Sequence, residues 1–208
     1  MWGIIVKYFI FDMGGVLKKS IPYDLIKDEP SMINISNLSD EQIEKYDKYK
    51  IEMERGTYST LDYLRDYSEF FNKKNISYEE YIENYNEIGY KYGGVYKEAV
   101  DTLYNLKKDD YKIYMLSNLN DTAFNSFSSE FDISIFDELF LSFKLHMVKP
   151  EKDIYEYVIR KINGNPKEMC FFDDKKINID AAKECQMNGF VTTGETIDEI
   201  VKKALTLN

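Results

Sequence analysis

From Val95 onward, short apolar runs alternate with amphipathic stretches, and this rhythm constrains the fold more than any other feature of the chain. A helical pattern over 96–107 leads to the run YKIYMLS at 111–117, and one over 121–128 leads to a short apolar run near 138–143. A third pattern over 151–162 leads to MCFFDD at 169–174, and a fourth over 178–186 leads to a strand at 189–193. A last helix covers about 196–205. Strands that alternate with helices predict a parallel sheet with helices on both faces and right-handed connections. The run IIVKYFIF at 4–11 is β-branched and aromatic, has the length of a buried strand, and must join the same sheet.

Residues 20–92 follow a different pattern. Ile43, Tyr46, Tyr49 and Met53 recur at helical spacing, as do Leu61, Leu64, Tyr67 and Phe71 after a capping Ser59/Thr60. Tyr78, Tyr81, Ile82, Tyr85 and Ile88 form a third stripe, preceded by Ser77 and ended by Gly93-Gly94. No strand is predicted here, so the block is expected to be a helical subdomain inserted into the sheet domain. The expected division is 1–19 with 93–208 as the core and 20–92 as the insertion.

The 208 residues, 44% hydrophobic and 31% charged, suffice for a buried core without metal or disulfide staples. The net charge of −10 repels phosphate backbones, so no nucleic-acid partner is expected. Two cysteines, Cys170 and Cys185, form no CxxC or Cys/His cluster; a zinc site and a disulfide are not expected, and a reducing, cytoplasmic setting fits. Cys170 reads as a small core residue. The apolar start is short, is interrupted by Lys7 and lacks a small-residue cleavage site, so it does not read as a signal peptide. No run of about 18 apolar residues predicts a membrane span.

Ligands of open parallel sheets bind beyond the carboxyl ends of the strands, where the strand order reverses. Asp12 follows the first strand, Ser117-Asn118 the second, and Asp173-Asp174 the run at 169–174; Lys149-Pro150 stands just before the helix at 151–162. Singly, each has a plain structural role as a turn residue, helix cap or surface loop. Together, at successive strand ends, they predict a phosphoryl site. Carboxylates gathered in one spot repel one another, and a divalent cation resolves that; hard oxygen ligands favour Mg²⁺. A carboxylate can act as a nucleophile and form an aspartyl-phosphate. Ser117 and Asn118 offer hydroxyl, amide and backbone N–H donors for phosphoryl oxygens, and Lys149 offers a cation.

The segments FIFDMGGVL (9–17), MLSN (115–118), VKPEKDIYEYVI (148–159) and CFFDDKKINIDAAKECQMNGF (170–190), with MERGTYSTLDYL (53–64), resemble the haloacid dehalogenase superfamily of aspartate-nucleophile hydrolases over nearly the whole chain. The resemblance implies a Rossmann-like α/β core with an all-α cap inserted after the first motif, and a small phosphorylated metabolite as substrate. It implies Asp12 as nucleophile and metal ligand, the Gly14 carbonyl and Asp174 as further metal ligands, and Ser117 and Asn118 as the phosphate-binding motif. It implies Lys149 as the neutralising lysine, Asp173 as the residue that orients a metal-bound water, and Asn178 as support for that loop.

Phosphatases of this family usually carry a second Asp two residues after the nucleophile, as acid and base; here that position is Gly14. General acid–base help is worth about 10²–10⁴-fold. One explanation is a leaving group that departs with little protonation, such as a sugar 1-phosphate; the DxGGV form resembles the branch that includes α-glucose-1-phosphatase. The alternatives are a metal-free 2-haloacid dehalogenase, for which Arg55 and Arg65 are the candidate carboxylate anchors in the cap, a phosphonatase using a cap lysine, or a ligand-binding member without catalysis. His146, the only histidine, is either a loop residue or a partial substitute for the missing acid, its unperturbed pKa being near 6.5. Substrate-facing candidates lie in 18–23 and around 54–57, and the cap tyrosines read as packing residues.

Overall fold

The computed structural model describes residues 6–207. Residues 4 and 5 of the predicted first strand, and the first five residues of the segment weighed as a signal peptide, lie outside that range. Among the described residues the chain runs β1 (Tyr8–Phe11), α1 (Tyr23–Ile26), α2 (Asp40–Arg55), α3 (Thr60–Tyr67), α4 (Tyr78–Tyr92), α5 (Lys97–Lys108) and β2 (Lys112–Ser117). It continues with α6 (Asp121–Glu130), β3 (Glu138–Leu141), α7 (Ser142–Leu145), α8 (Lys152–Ile162), β4 (Met169–Asp173), α9 (Lys176–Glu184), β5 (Asn188–Val191) and α10 (Ile197–Leu205).

The five strands form one parallel sheet in the order β3-β2-β1-β4-β5. The direction of winding therefore reverses between β1 and β4, which places the crevice there. Side chains alternate across the strands. Phe9, Phe11, Met115 and Phe172 enter a core shared with α5, α6 and α10, whereas Ile10, Leu116 and Phe171 enter one shared with α8 and α9. On the first face Phe172 stacks between Phe11, at 4.9 Å, and Phe190, at 5.4 Å. Both faces are covered, which is why β2 and β4 read as unbroken apolar runs.

Helices α1–α4 fall between β1 and α5, and they enclose a third apolar cluster built from Ile33, Tyr63, Leu64, Tyr67, Phe71, Ile76 and Tyr81. Three of its elements begin on a serine whose side chain accepts a backbone N–H while the third helical residue reaches back: Ser39 with Gln42, Ser59 with Asp62 and Ser77 with Glu80. The predicted stripe on α3 needs correcting. Leu61 is 61% exposed, and the buried face is Thr60, Tyr63, Leu64 and Tyr67, a spacing that follows one side of the helix. Phe71 is buried but lies beyond the helix end.

The insertion leaves and rejoins the core along paired backbone. Lys18 and Val95 form an antiparallel bridge, Lys19 N–H donates to Gly94 C=O at 2.9 Å, and Tyr96 N–H donates to Leu17 C=O at 2.9 Å. A second seam joins the end of α2 to the core: Arg55 grips Glu151 through two bonds of 2.7 and 2.9 Å. Gly56, at φ +75°, stands where a Cβ would lie 2.2 Å from the Phe143 carbonyl oxygen.

Candidate active site

Asp12 lies one residue past β1, and its backbone N–H continues the ladder to the Phe172 carbonyl at 2.9 Å. That extension fixes its carboxylate at the carboxyl end of the sheet. The side chain is buried; Oδ1 accepts the Met13 N–H at 2.7 Å and faces Lys149 Nζ at 2.9 Å. Burial pushes the Asp12 carboxyl up to about 6, against the pull of Lys149 and of the Ser117 hydroxyl, with Asp173 adding to the rise.

Lys149 is the centre of the arrangement. Its Nζ donates to Asp173 Oδ2 at 2.6 Å and to the Leu116 carbonyl at 3.1 Å, and its side chain is 1% exposed. Burial opposes the charge, but Asp12 and Asp173 outweigh it and hold the ammonium above the usual lysine range. Lys149 precedes a cis proline, Pro150. Its backbone is clamped from the next loop: Lys149 N–H donates to Asn118 Oδ1 at 2.8 Å, and Asn118 Nδ2 donates to the Lys149 carbonyl at 2.9 Å. Both polar atoms of the Asn118 amide thus bind this loop, which leaves the backbone N–H and the second Nδ2 hydrogen of Asn118 for a phosphoryl group. Ser117, at the end of β2, is buried beside Asp12.

Asp173 and Asp174 are adjacent in sequence and unlike in environment. Asp173 is fully buried, and both its oxygens are held by protein donors: Oδ1 by Lys175 N–H at 2.8 Å, both by Asn178 Nδ2 at 3.0 Å, and Oδ2 by Lys149. Asn178 is itself placed by the Tyr155 hydroxyl, which donates to the Asn178 carbonyl at 2.9 Å. Asp174 is half-buried, and its Oδ1 is buried without a hydrogen-bond partner. Burial and then the Asp173 charge push its carboxyl up.

Oxygens of Asp12, Asp173 and Asp174 lie within 4.8 Å of one another. Three carboxylates with one lysine leave negative charge in excess, and the partnerless Asp174 oxygen is the kind of atom a hard cation satisfies. The donor set fits Mg²⁺. Gly15, at φ +74°, makes room for it: a Cβ there would lie 2.5 Å from Asp174 Oδ2. A Cβ on Gly14 would meet nothing within 4 Å.

The remaining candidates separate. Lys149, Ser117, Asp12, Asp173, Asp174 and Asn178 converge. His146 does not: it is exposed, its φ is 57°, and its Nδ1 lies 3.0 Å from the Arg55 carbonyl, against the insertion. The two arginines considered as carboxylate anchors are engaged elsewhere, Arg55 by Glu151 and Arg65 by Asp62 and Asp66. Cys170 and Cys185 are free thiols, and burial pushes Cys170 up to about 12.

A cavity of about 390 Å³ opens between the sheet domain and the insertion, and Met13, Gly14 and Asn118, which follow Asp12 and Ser117 in the chain, are among its lining residues. Lys18, Lys19, Ser20 and Ile21 line it, as do Met53 and Glu54, while Tyr23 and Thr57 do not. Tyr46, Tyr63, Tyr81 and Tyr85 both pack in the third cluster and line this cavity. The periodicity argument had assigned them to packing alone. The available signal was the choice of tyrosine, rather than leucine or phenylalanine, at four inward positions.

The haloacid dehalogenase-like hydrolase family profile matches residues 6–186. The chain is 26% identical over 200 residues to a D-ribitol-5-phosphate phosphatase of Bacteroides thetaiotaomicron, covering 89% of this chain and 91% of that protein. It is 26% identical over 191 residues to the sesquiterpene phosphatase astK of Aspergillus oryzae, covering 90% of each. Its fold superposes on the HAD family enzyme BT-2542 of B. thetaiotaomicron with a TM-score of 0.79 at 23% identity, over 95% of this chain and 98% of that one. BT-2542 has also been solved in complex with magnesium and inorganic phosphate.

Proposed function

The chain belongs to the haloacid dehalogenase-like hydrolases, and from that premise we propose that it is a Mg²⁺-dependent phosphatase of a small phosphorylated metabolite. The observation that carries this reading is the grouping of Asp12, Asp173 and Asp174 around one buried lysine, with a buried Asp174 oxygen that no protein donor satisfies. The mechanism uses these residues as follows. Asp12 attacks phosphorus in line; the P–O bond to the alcohol breaks, and an aspartyl-phosphate forms. Lys149, Ser117 and the Asn118 N–H stabilise the charge on the phosphoryl oxygens. Water then attacks the same phosphorus, releasing phosphate and regenerating Asp12. Asp12, Asp174 and the Gly14 carbonyl would hold Mg²⁺, which would supply neutralisation of the phosphoryl charge. Asp173 is assigned to position Lys149, and Asn178 to position Asp173.

Gly14 cannot transfer a proton, so the reading favours a leaving group that departs with little protonation, a sugar 1-phosphate among them. Two relatives, the D-ribitol-5-phosphate phosphatase and the sesquiterpene phosphatase, support the reaction type. The insertion at 20–92 acts as the cap over the core at 1–19 and 93–208. The free thiols suit a reducing, cytoplasmic setting. No described helix is long and apolar enough to cross a membrane.

The test is phosphate release from a panel of aryl, anomeric and alkyl phosphates, with and without Mg²⁺, beside Asp12→Asn. Turnover that needs both the cation and Asp12 is the expected result. Release that survives Asp12→Asn, or that ignores chelation, would sink it.

A further inference from the structure

The cavity lined by Met13, Gly14 and Asn118 has a chemistry of its own. Its volume, about 390 Å³, falls within the range of roughly 300–1,000 Å³ typical of small-molecule sites. Away from Gly14 and Asn118 its walls are the faces of Tyr46, Tyr63, Tyr81 and Tyr85 with Met53 and Ile88. Several of its polar groups are committed to the protein, whereas the side chains of Lys19, Ser20, Lys50 and Glu54 make no hydrogen bond or ion pair among the described residues. Lys18 Nζ is bound by Glu130 at 2.7 Å and Ser126 at 3.2 Å. Both ends of the Asn118 amide hold Lys149, and Asn120 Oδ1 caps the Ala123 N–H at 2.8 Å. Ser31 is paired with Asn84.

A polyol placed here would find partners in Lys19, Ser20, Lys50 and Glu54, but most of the cavity surface is apolar, so hydroxyls turned to the rest of the wall would lose their water without replacement. An apolar body would lose nothing and would gain from burial. We propose that the substrate is the phosphate ester of a predominantly apolar alcohol, its phosphoryl group at Asp12 and its carbon body against the tyrosines. This rests on the phosphatase reading above and narrows its substrate class. A sugar 1-phosphate meets the leaving-group argument but matches this mostly apolar lining less well.

The experiment uses the n-alkyl phosphates from ethyl to octyl, which share one leaving-group chemistry and differ only in body. A polyol phosphate and a sugar 1-phosphate are run beside them. Two readouts are taken: kcat/KM of the wild type with Mg²⁺, and the Kd of each ester for Asp12→Asn by calorimetry. Each methylene that enters the cavity is expected to improve both by about fourfold until the cavity is filled. Tyr85→Ser and Met53→Gln are expected to flatten that slope. A flat slope in wild-type turnover and binding, with the polyol or sugar ester matching octyl phosphate, overturns the apolar assignment and leaves the phosphatase reading standing. A binding slope without turnover of any ester supports the apolar assignment and overturns the phosphatase.

Discussion

Lys149 Nζ donates to Asp173 Oδ2 at 2.6 Å, a tighter approach than its 2.9 Å pairing with Asp12 Oδ1. The lysine is therefore anchored by a carboxylate that Asn178 and Lys175 hold from behind, and it presents its charge to Asp12 from a fixed point. Removing one partner of such a buried set strands the others without compensation. Lys149→Met is expected to lower stability by about 3–5 kcal/mol, read by denaturant unfolding in chelator, and to lower kcat by at least about 10²-fold. A variant as stable as the wild type would show that the two carboxylates take up protons instead.

Asp174 carries the opposite expectation. Its Oδ1 is buried without a partner, and its charge sits beside Asp173. In chelator, Asp174→Asn should unfold no more easily than the wild type. On adding Mg²⁺ at a hundredfold excess over Kd, the wild type should gain about 2.7 kcal/mol and the variant little. Equal gains would remove Asp174 from the cation site.

Gly14 and Gly15 are neighbours with contrasting surroundings. Open space at Gly14 admits a carboxylate, and Gly14→Asp should raise kcat on alkyl phosphates by about 10-fold or more, since general acid–base help is worth about 10²–10⁴-fold. Gly15→Ala should cost about 1–2 kcal/mol for its left-handed backbone and weaken Mg²⁺ binding by displacing Asp174. His146, held at the Arg55 carbonyl, does not replace the missing acid, so His146→Ala should leave the pH–rate profile unchanged.

Asp137 offers a test of pH dependence away from the site. Burial would raise its carboxyl, but the hydrogen bonds from Lys107, the Ile113 N–H and Lys112 hold it below the usual range. A carboxyl depressed in the folded state stabilises above its unfolded pKa of about 3.9, and that stabilisation fades as pH falls through the lower folded value. Asp137→Asn should cost about 1 kcal/mol at pH 7. The difference from wild type should close as pH falls through the lowered folded value.

Much of this architecture was legible because buried parallel strands write themselves as apolar runs and because the crevice gathers whatever follows them. YKIYMLS and MCFFDD mark β2 and β4 to within a residue, and the polar residues after β1 and β4 meet because those strands are neighbours. The strand order itself was not readable, since nothing local in β3 says it pairs outside β2. Other features depend on surfaces distant in sequence. The exposure of Leu61 follows from which side of α3 meets the tyrosine cluster. The Asn118 amide turns to Lys149 because the two loops lie side by side, and the insertion tyrosines face a cavity that exists only once the insertion sits on the sheet.

The bridge between Lys18 and Val95 holds the outgoing and returning chain side by side. The chain between those two points enters and leaves through this one doorway, with the Arg55–Glu151 contact as a second hold on the core, and the sheet domain is threaded the same way whatever lies between. A short turn spliced from Lys19 to Gly94 would reconnect the sheet domain without rerouting a strand, and a foreign helical module grafted at the same doorway would face the same carboxylates. The fold thus joins the insertion to the strand-bearing part of the chain at one paired crossing, where the insertion can be exchanged without rerouting the sheet.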